Sequence, residues 1–335
     1  MDKNVSQANS CERLDPPTAE QILAEEDPTR STLYAVLTVM ALAGILVYTE
    51  EVIYILRKIP PSYKRTTYIW ITGAPTVIAA TSCTGLWIPR SAMFTDFTAA
   101  IYFTICIHKF LVMMIEEYGG DASFISRLKD TPIKISTGPC CCCCLCLPEV
   151  KLSRRTLNIL KFGTLQSALL RPVFLFFAIV LWSNGNYEQG KMDIKGAFFW
   201  ITILTVITFI ISLWPLGILF YQAKSNLHHQ KIIPKFILNQ CVLILCQAQG
   251  GILSILVATR TIACAPPFSS RARGIFINHQ LLIMEMFVII LLSRCYYRRK
   301  YNELDMTTIQ SVDLSTMDIS KQSNSKQING SVQWV

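Results

Sequence analysis

Seven stretches of this sequence are each long and apolar enough to cross a lipid bilayer as a helix. A bilayer core needs about 20 mostly apolar residues per helical span. Only 16% of the 335 residues are charged and 52% are hydrophobic, whereas soluble domains carry about a quarter charged residues. The predicted spans cover residues 32–56, 67–87, 94–115, 162–182, 197–221, 236–258 and 277–296. The sequence therefore predicts an all-α membrane protein, a seven-transmembrane helix bundle over residues 32–296.

Lys and Arg are concentrated in the segments that follow the first, third, fifth and seventh spans. Such residues favour the cytoplasmic side of the membrane. This predicts an extracellular N-terminus and a cytoplasmic C-terminus. Residues 1–31 would lie outside and carry a short helix, because Thr18 and Gln21 fit a capping box. Residues 297–335, rich in Ser, Gln, Asn and Thr, would form a disordered cytoplasmic tail.

The outer segments offer two modification sites. Asn4 begins an Asn-Val-Ser triplet, which is a glycosylation acceptor on the outer side. Cys11 and Cys264 fall on that side and could bridge, although two cysteines alone do not establish a disulfide.

Six cysteines lie within the segment 138–148, GPCCCCCLCLP, in the loop after the third span. Disulfides are rare in the reducing cytoplasm, and zinc ligands are usually spaced as C-x₂₋₄-C. Cytoplasmic cysteines beside a membrane are typical S-acylation sites. We therefore predict multiple palmitoylation, ahead of a reduced thiol patch and of metal binding. The predicted acceptors are Cys140, Cys141, Cys142, Cys143, Cys144 and Cys146.

Several polar side chains fall at membrane depth, where an ionisable group is costly and usually faces a cavity or a partner. They are Arg171 in span four, Glu285 in span seven, His108 and Lys109 in span three, and Gln240 and Gln247 in span six. With Gly251, the two glutamines would share one helical face. One interpretation is a substrate-binding pocket in which the basic residues attract an anion. The other is a structural Arg171–Glu285 ion pair, with the span-six amides as interhelical contacts.

No catalytic or nucleotide-binding motif is visible, so neither an enzyme nor a cofactor is predicted. The net charge of +9 is spread over loops between spans. It forms no soluble basic domain, which argues against a nucleic-acid partner and fits contact with anionic membrane lipids.

Sequence segments in order along the chain resemble the alpha subunits of the organic solute transporters. They are PPTAEQIL (16–23), APTV (74–77), GLWIPRS (85–91), DTP (130–132), TGPCCCCC (137–144), PPFSS (266–270) and YYRRK (296–300). GLWIPRS and the cysteine run are specific, whereas PPFSS alone would not be. The resemblance covers nearly the whole chain.

The resemblance implies a facilitative, bidirectional carrier of bile acids, steroid conjugates such as steroid sulfates, and related amphipathic anions. It also implies a separate single-span beta subunit as partner, a possible higher-order oligomer, and a basolateral plasma membrane location after assembly in the endoplasmic reticulum. The cysteine run looks like the family's lipidated motif. The alternatives are a lipid- or steroid-sensing receptor on a seven-helix scaffold, or a scaffold subunit.

Overall fold

The computed structural model describes residues 20, 28–61, 63–128, 132–133, 150–187, 194–226, 232–264 and 269–298. Within these residues, seven helical segments are long and apolar enough to cross a membrane, so the predicted seven-helix bundle is confirmed. The helices are α1 Pro28–Lys58, α2 Tyr63–Trp87, α3 Ala92–Glu117, α4 Gly120–Leu128, α5 Arg154–Ser183, α6 Ala197–Asn226, α7 Ile232–Ile244, α8 Gly250–Ala258 and α9 Ser270–Tyr297.

The sixth spanning segment is not one continuous α-helix. A single turn of π-helix, Leu245–Gln249, joins α7 to α8. A short 3₁₀ turn, Pro89–Ser91, leads from α2 into α3. Each of the seven predicted spans falls inside one of the seven helical segments, and α4 is a short additional helix after α3.

Local side-chain chemistry sets several helix boundaries. The hydroxyls of Ser153 and Ser269 accept hydrogen bonds from the first turns of α5 and α9, which satisfies backbone N–H groups that have no partner within the helix. Gly119 and Gly120 have φ values of +92° and +89°. That left-handed backbone is natural for glycine, and it lets the chain turn sharply from α3 into α4.

The helices associate in two groups that meet along α3. Helices α1, α2 and α9 pack together, with α3 against α2 and the sixth span against α9. Helices α5 and α6 form a second pair that packs on α3. The core is densest along α3, where Ile107, Phe110 and Leu111 are fully buried. Helices α5, α6 and α8 instead expose many large apolar side chains, as expected of surfaces that face lipid.

The two ends of the bundle are distinguished by their contacts, and we name each after one residue. At the Trp87 end, Tyr34 at the start of α1 packs on Trp87 and on Phe276 in α9, with ring centroids 5.8 and 5.4 Å apart. At the Tyr297 end, Tyr297 packs edge-on against Tyr68, at 5.7 Å.

The loop that holds the cysteine run begins and ends at the Tyr297 end, between α4 and α5. Two-residue strands β1 (Pro132–Ile133) and β2 (Val150–Lys151) pair in antiparallel fashion and bring the flanks of this loop together. Asp121 in α4 also binds Lys161 in α5, at 2.6 and 2.8 Å.

Several predicted features lie outside the described residues. They are the N-terminal helix, Asn4, Cys11, the six cysteines at 140–144 and 146, and the C-terminal tail. Cys264, in the segment between α8 and α9 at the Trp87 end, is disulfide-bonded. Its partner is outside the described residues, so the pairing with Cys11 stays a prediction.

Candidate functional site

A small cavity of about 30 Å³ lies at mid-helix depth between α3, α5, α6 and the π turn. We call it the Arg171 cavity. Its lining residues are Ala100, Phe103 and Thr104 of α3, Arg171 of α5, Thr205, Val206 and Phe209 of α6, and Gln247 of the π turn. The walls are mostly apolar, and the cavity contains a single formal charge, the Arg171 guanidinium.

Arg171 has no carboxylate partner among the described residues. Its Nε atom is buried and makes no hydrogen bond. No ion pair joins Arg171 to Glu285 within these residues, so the alternative of a structural pair between them has no support in the geometry. A cation at membrane depth without a counterion is costly, which makes Arg171 a candidate anchor for an anionic group.

Tyr187 lies in the loop after α5, close enough to Arg171 for the guanidinium charge to affect the pKa of its phenol. Burial raises the pKa of Tyr187 to about 12, while the positive charge of Arg171 acts in the opposite direction. The phenol therefore stays neutral at physiological pH and does not neutralise the guanidinium.

The α5–α6 pair places Arg171 by close contact between small side chains. A Cβ atom on Gly163 would lie 2.8 Å from Cγ of Pro215, so only glycine allows the two helices to approach this closely. One turn away, Ser167 and Ser212 are hydrogen-bonded at 3.2 Å. His108 of α3 binds Thr164 of α5 through Nδ1 at 2.9 Å, which fixes the pair against α3.

The π turn places the glutamines of the sixth span differently from a regular helix. Gln247 lines the Arg171 cavity, whereas Gln240 does not. When the Gln249 side chain is oriented with its amide nitrogen toward Glu285, that nitrogen donates to the two carboxylate oxygens, at 2.8 and 3.1 Å. The predicted stripe of Gln240, Gln247 and Gly251 assumed 3.6 residues per turn, and a π turn changes that period.

Of the six predicted substrate-binding residues, Arg171 and Gln247 share the cavity. His108 is used in the contact with Thr164. The Lys109 ammonium donates to the Tyr63 hydroxyl at 3.0 Å and lies 4.6 Å from the centroid of that ring. Glu285 lies on α9 beside Gln249.

A buried polar cluster at the Tyr297 end was not recognised in the sequence. The Lys235 side chain is 1% exposed, and its ammonium donates to the Tyr68 hydroxyl at 3.3 Å. Tyr68 also donates to Glu117, which forms an ion pair with Lys64 at 3.2 Å. This cluster ties α2, α3 and α7 together beneath the cavity.

The cavity is accessible from the side of the bundle. Val206 is 48% exposed, and Gln247 on the opposite wall is exposed as well. Helix α6 approaches the sixth span mainly at α7, where Phe220 and Phe236 stack with centroids 3.6 Å apart. A molecule with an anionic end at Arg171 would therefore lie mostly outside the cavity, against the exposed apolar faces of α6 and α8.

Among the described residues, no group of three or more His, Cys, Asp or Glu side chains could hold a metal ion. The arrangement offers one cation and hydrogen-bonding amide and hydroxyl groups within apolar walls. These groups make Arg171 a candidate anchor for a single anionic group.

Comparison with known proteins identifies the family of the chain. The chain matches the family model described as organic solute transporter Ostalpha over residues 33–303. Organic solute transporter subunit alpha of Danio rerio is 48% identical over 292 residues, which cover 87% of this chain and 89% of the relative. The protein of the same name from Leucoraja erinaceus is 40% identical, over 86% of this chain and 82% of the relative. That from Homo sapiens is 36% identical, over 89% of this chain and 88% of the relative.

No solved structure matches the chain. The family match includes residues of all seven spanning helices. The chain therefore belongs to the organic solute transporter alpha family, which consists of multi-pass membrane transporter subunits and not of enzymes.

Proposed function

We propose that this chain is the alpha subunit of a facilitative, bidirectional carrier for bile acids, steroid conjugates and related amphipathic anions. The observation that carries the proposal is the Arg171 guanidinium, which lies in a mostly apolar cavity without an acidic partner among the described residues. A bile acid or steroid sulfate has a large apolar body and one anionic end. Arg171 offers a complement to the anionic end, and the exposed apolar faces of α6 and α8 beside the cavity offer one to the apolar body.

Passive exchange in both directions requires that a substrate bind and also leave easily. A single cation and few hydrogen-bonding groups give limited affinity, and the opening toward the membrane leaves the bound molecule partly in contact with lipid. No nucleotide-binding motif accompanies the spans, which is consistent with transport driven by the substrate gradient alone.

We further propose that the Tyr297 end is cytoplasmic and the Trp87 end extracellular, with the chain in the basolateral plasma membrane. Basic residues are enriched at the Tyr297 end, where Arg294 and Arg298 bind Glu50, and basic residues favour the cytoplasm. The disulfide at Cys264 supports an outer location for the Trp87 end, because disulfides persist in oxidising compartments.

A single-span beta subunit is the proposed partner of this chain. The name subunit alpha, which the relatives carry, supports the presence of a second subunit. The exposed apolar faces of α5, α6 and α8 offer ample surface within the membrane for one more helix.

Replacing Arg171 tests the proposed site. In cells that co-express both subunits, we expect Arg171→Ala to lower the flux of a steroid sulfate per surface molecule by about tenfold or more, since the anchoring charge is lost. Arg171→Lys should retain part of the flux, because lysine supplies the positive charge but not the planar guanidinium, which can form two hydrogen bonds to one anionic group. Arg155→Ala, an exposed position on the same helix, serves as the matched control. An unchanged flux per surface molecule in Arg171→Ala would refute the site.

Counterflow distinguishes a carrier from the alternative of a steroid-sensing receptor. Vesicles containing both subunits are preloaded with unlabelled substrate, and the uptake of labelled substrate is then measured. We expect preloading to accelerate uptake, since a carrier exchanges substrate across the membrane. A receptor would bind the label without this acceleration.

A further inference from the structure

At the Trp87 end, the chain turns back into the bundle directly after α5. Gly185 has a φ of +75°, a left-handed backbone that is natural for glycine. Its N–H donates to the Trp182 carbonyl at 3.0 Å. The N–H of Asn186 donates to the Leu181 carbonyl at 2.9 Å. These two hydrogen bonds form a Schellman motif, which ends the helix and reverses the chain, and the next residue is Tyr187.

Tyr187 is inserted among three helices. It is 5% exposed and forms a buried cluster with Met93 of α3 and Ala178 of α5, which we call the Tyr187 cluster. The Tyr187 ring packs edge-on against Phe198 of α6, with centroids 5.6 Å apart. Within α5, all of which the structure describes, Ala178 is the one buried residue beyond Ser167. The half of α5 nearer the Trp87 end is therefore covered where this cluster lies.

The Tyr187 cluster lies on the Trp87 side of the Arg171 cavity and on the same three helices. On each helix, a residue in or against the cluster is one or two turns nearer the Trp87 end than a residue that lines the cavity. The pairs are Phe97 and Ala100 on α3, Ile201 and Thr205 on α6, and Ala178 and Arg171 on α5. A molecule that moved between these helices from the Trp87 end toward Arg171 would therefore meet the cluster first.

This position matters because a cation at membrane depth attracts any anion that reaches it. A water-filled path from the Trp87 end would admit small hydrated anions such as chloride to Arg171. The lateral opening beside α6 and α8 faces lipid, and moving a hydrated ion into apolar surroundings is costly. Only an anion with an apolar body can approach Arg171 through that opening.

We propose that Tyr187 is a specificity-determining residue, whose ring closes the Trp87 end of the Arg171 cavity to water and hydrophilic anions. Amphipathic anions then reach Arg171 through the lipid-facing side. This inference rests on the proposed function of the Arg171 cavity and adds how the chain selects amphipathic anions over hydrophilic ones.

Cysteine labelling tests this closure without transport. Thr205→Cys places a thiol on the cavity wall, and Asn184→Cys places one at the exposed end of α5 as the accessible control. Sulfonatoethyl methanethiosulfonate, an anionic thiol reagent that does not cross membranes, is added outside intact cells that co-express both subunits. Thr205→Cys is studied with Tyr187 intact and combined with Tyr187→Phe, Tyr187→Leu or Tyr187→Ala. The same chains without the added cysteine give the background.

With Tyr187 intact or replaced by phenylalanine, Thr205→Cys should react at least about tenfold more slowly than Asn184→Cys, because thiol exchange depends on access. Tyr187→Leu and Tyr187→Ala should remove most of this difference, since each leaves space where the ring was. Uptake of a steroid sulfate per surface molecule, measured without the added cysteine, should stay near the wild-type value in all three Tyr187 variants, because this substrate enters from the side.

Rapid reaction of Thr205→Cys beside an intact Tyr187 would overturn the proposal. An unchanged slow reaction in both Tyr187→Leu and Tyr187→Ala would overturn it too, as would failure of both variants to reach the surface, which would make the ring a structural element only. Loss of steroid sulfate uptake in variants that label rapidly would contradict entry from the side. Absence of uptake by the wild-type chain would instead count against the proposed function, while the labelling rates would still decide whether Tyr187 closes the cavity.

Discussion

At the scale of single residues, two charged side chains of the polar cluster at the Tyr297 end are held almost entirely out of solvent. Lys235 is 1% exposed and the Glu117 side chain is 2% exposed. The Tyr68 hydroxyl contacts both of them. Each buried charge is therefore compensated within a cluster, and removal of one member leaves the others without full compensation.

Glu117→Ala should destabilise the protein strongly. Lys235 would lose a nearby negative charge, and the Tyr68 hydroxyl would lose its acceptor. Breaking a buried pair from one side typically costs about 3–5 kcal/mol. Thermal unfolding of the purified protein in detergent measures the effect, with Glu116→Ala, the adjacent carboxylate, as the control. Equal unfolding temperatures for the two variants would contradict a stabilising role for the cluster.

At the scale of elements, the seven spanning helices are predictable from the sequence because length and hydropathy alone define them. Arg171 and Gln247 are also recognisable, as polar residues within apolar spans. The π turn has no comparable signal, so the face on which Gln247 and Gln249 lie was not predictable. The predicted sixth span begins at residue 236, so Lys235 falls just outside it. Its burial is not predictable from the sequence, because it depends on Tyr68 of another helix.

The close approach of α5 and α6 gives a prediction with an internal control. Gly163→Ala should lower stability and flux, since the new Cβ would lie 2.8 Å from Pro215 and overpacking costs about 1–3 kcal/mol. Gly250→Ala is the control, because no atom would lie within 4 Å of the new Cβ atom. It should keep or raise stability, because alanine favours helix over glycine by about 1 kcal/mol. Unfolding temperature and flux per surface molecule are measured for both variants, and a Gly163→Ala protein as stable as Gly250→Ala would refute the tight helix contact.

At the scale of the whole molecule, the chain order places chemically different segments at opposite ends of one bundle. The disulfide-bonded Cys264 lies at the Trp87 end. The paired strands β1 and β2 hold the flanks of the cysteine-rich loop at the Tyr297 end. An oxidised cysteine and a proposed set of reduced, acylated cysteines are compatible only if the two ends face different compartments, which agrees with the proposed orientation.

Acyl labelling tests this arrangement. Replacing Cys140–Cys144 and Cys146 with serine should abolish incorporation of a labelled palmitate analogue, because each acceptor thiol is removed. Cys295→Ser, which removes an exposed cysteine of α9 at the same end, is the control and should keep most of the label. Because acyl chains contribute about 0.8 kcal/mol per buried CH₂, loss of several chains should also release the loop from the inner leaflet and increase its cleavage by protease in inside-out vesicles. Persistent labelling of the six-serine variant would contradict the proposed acylation sites. Cleavage of the loop from the outside of intact cells would contradict the proposed cytoplasmic location of the Tyr297 end.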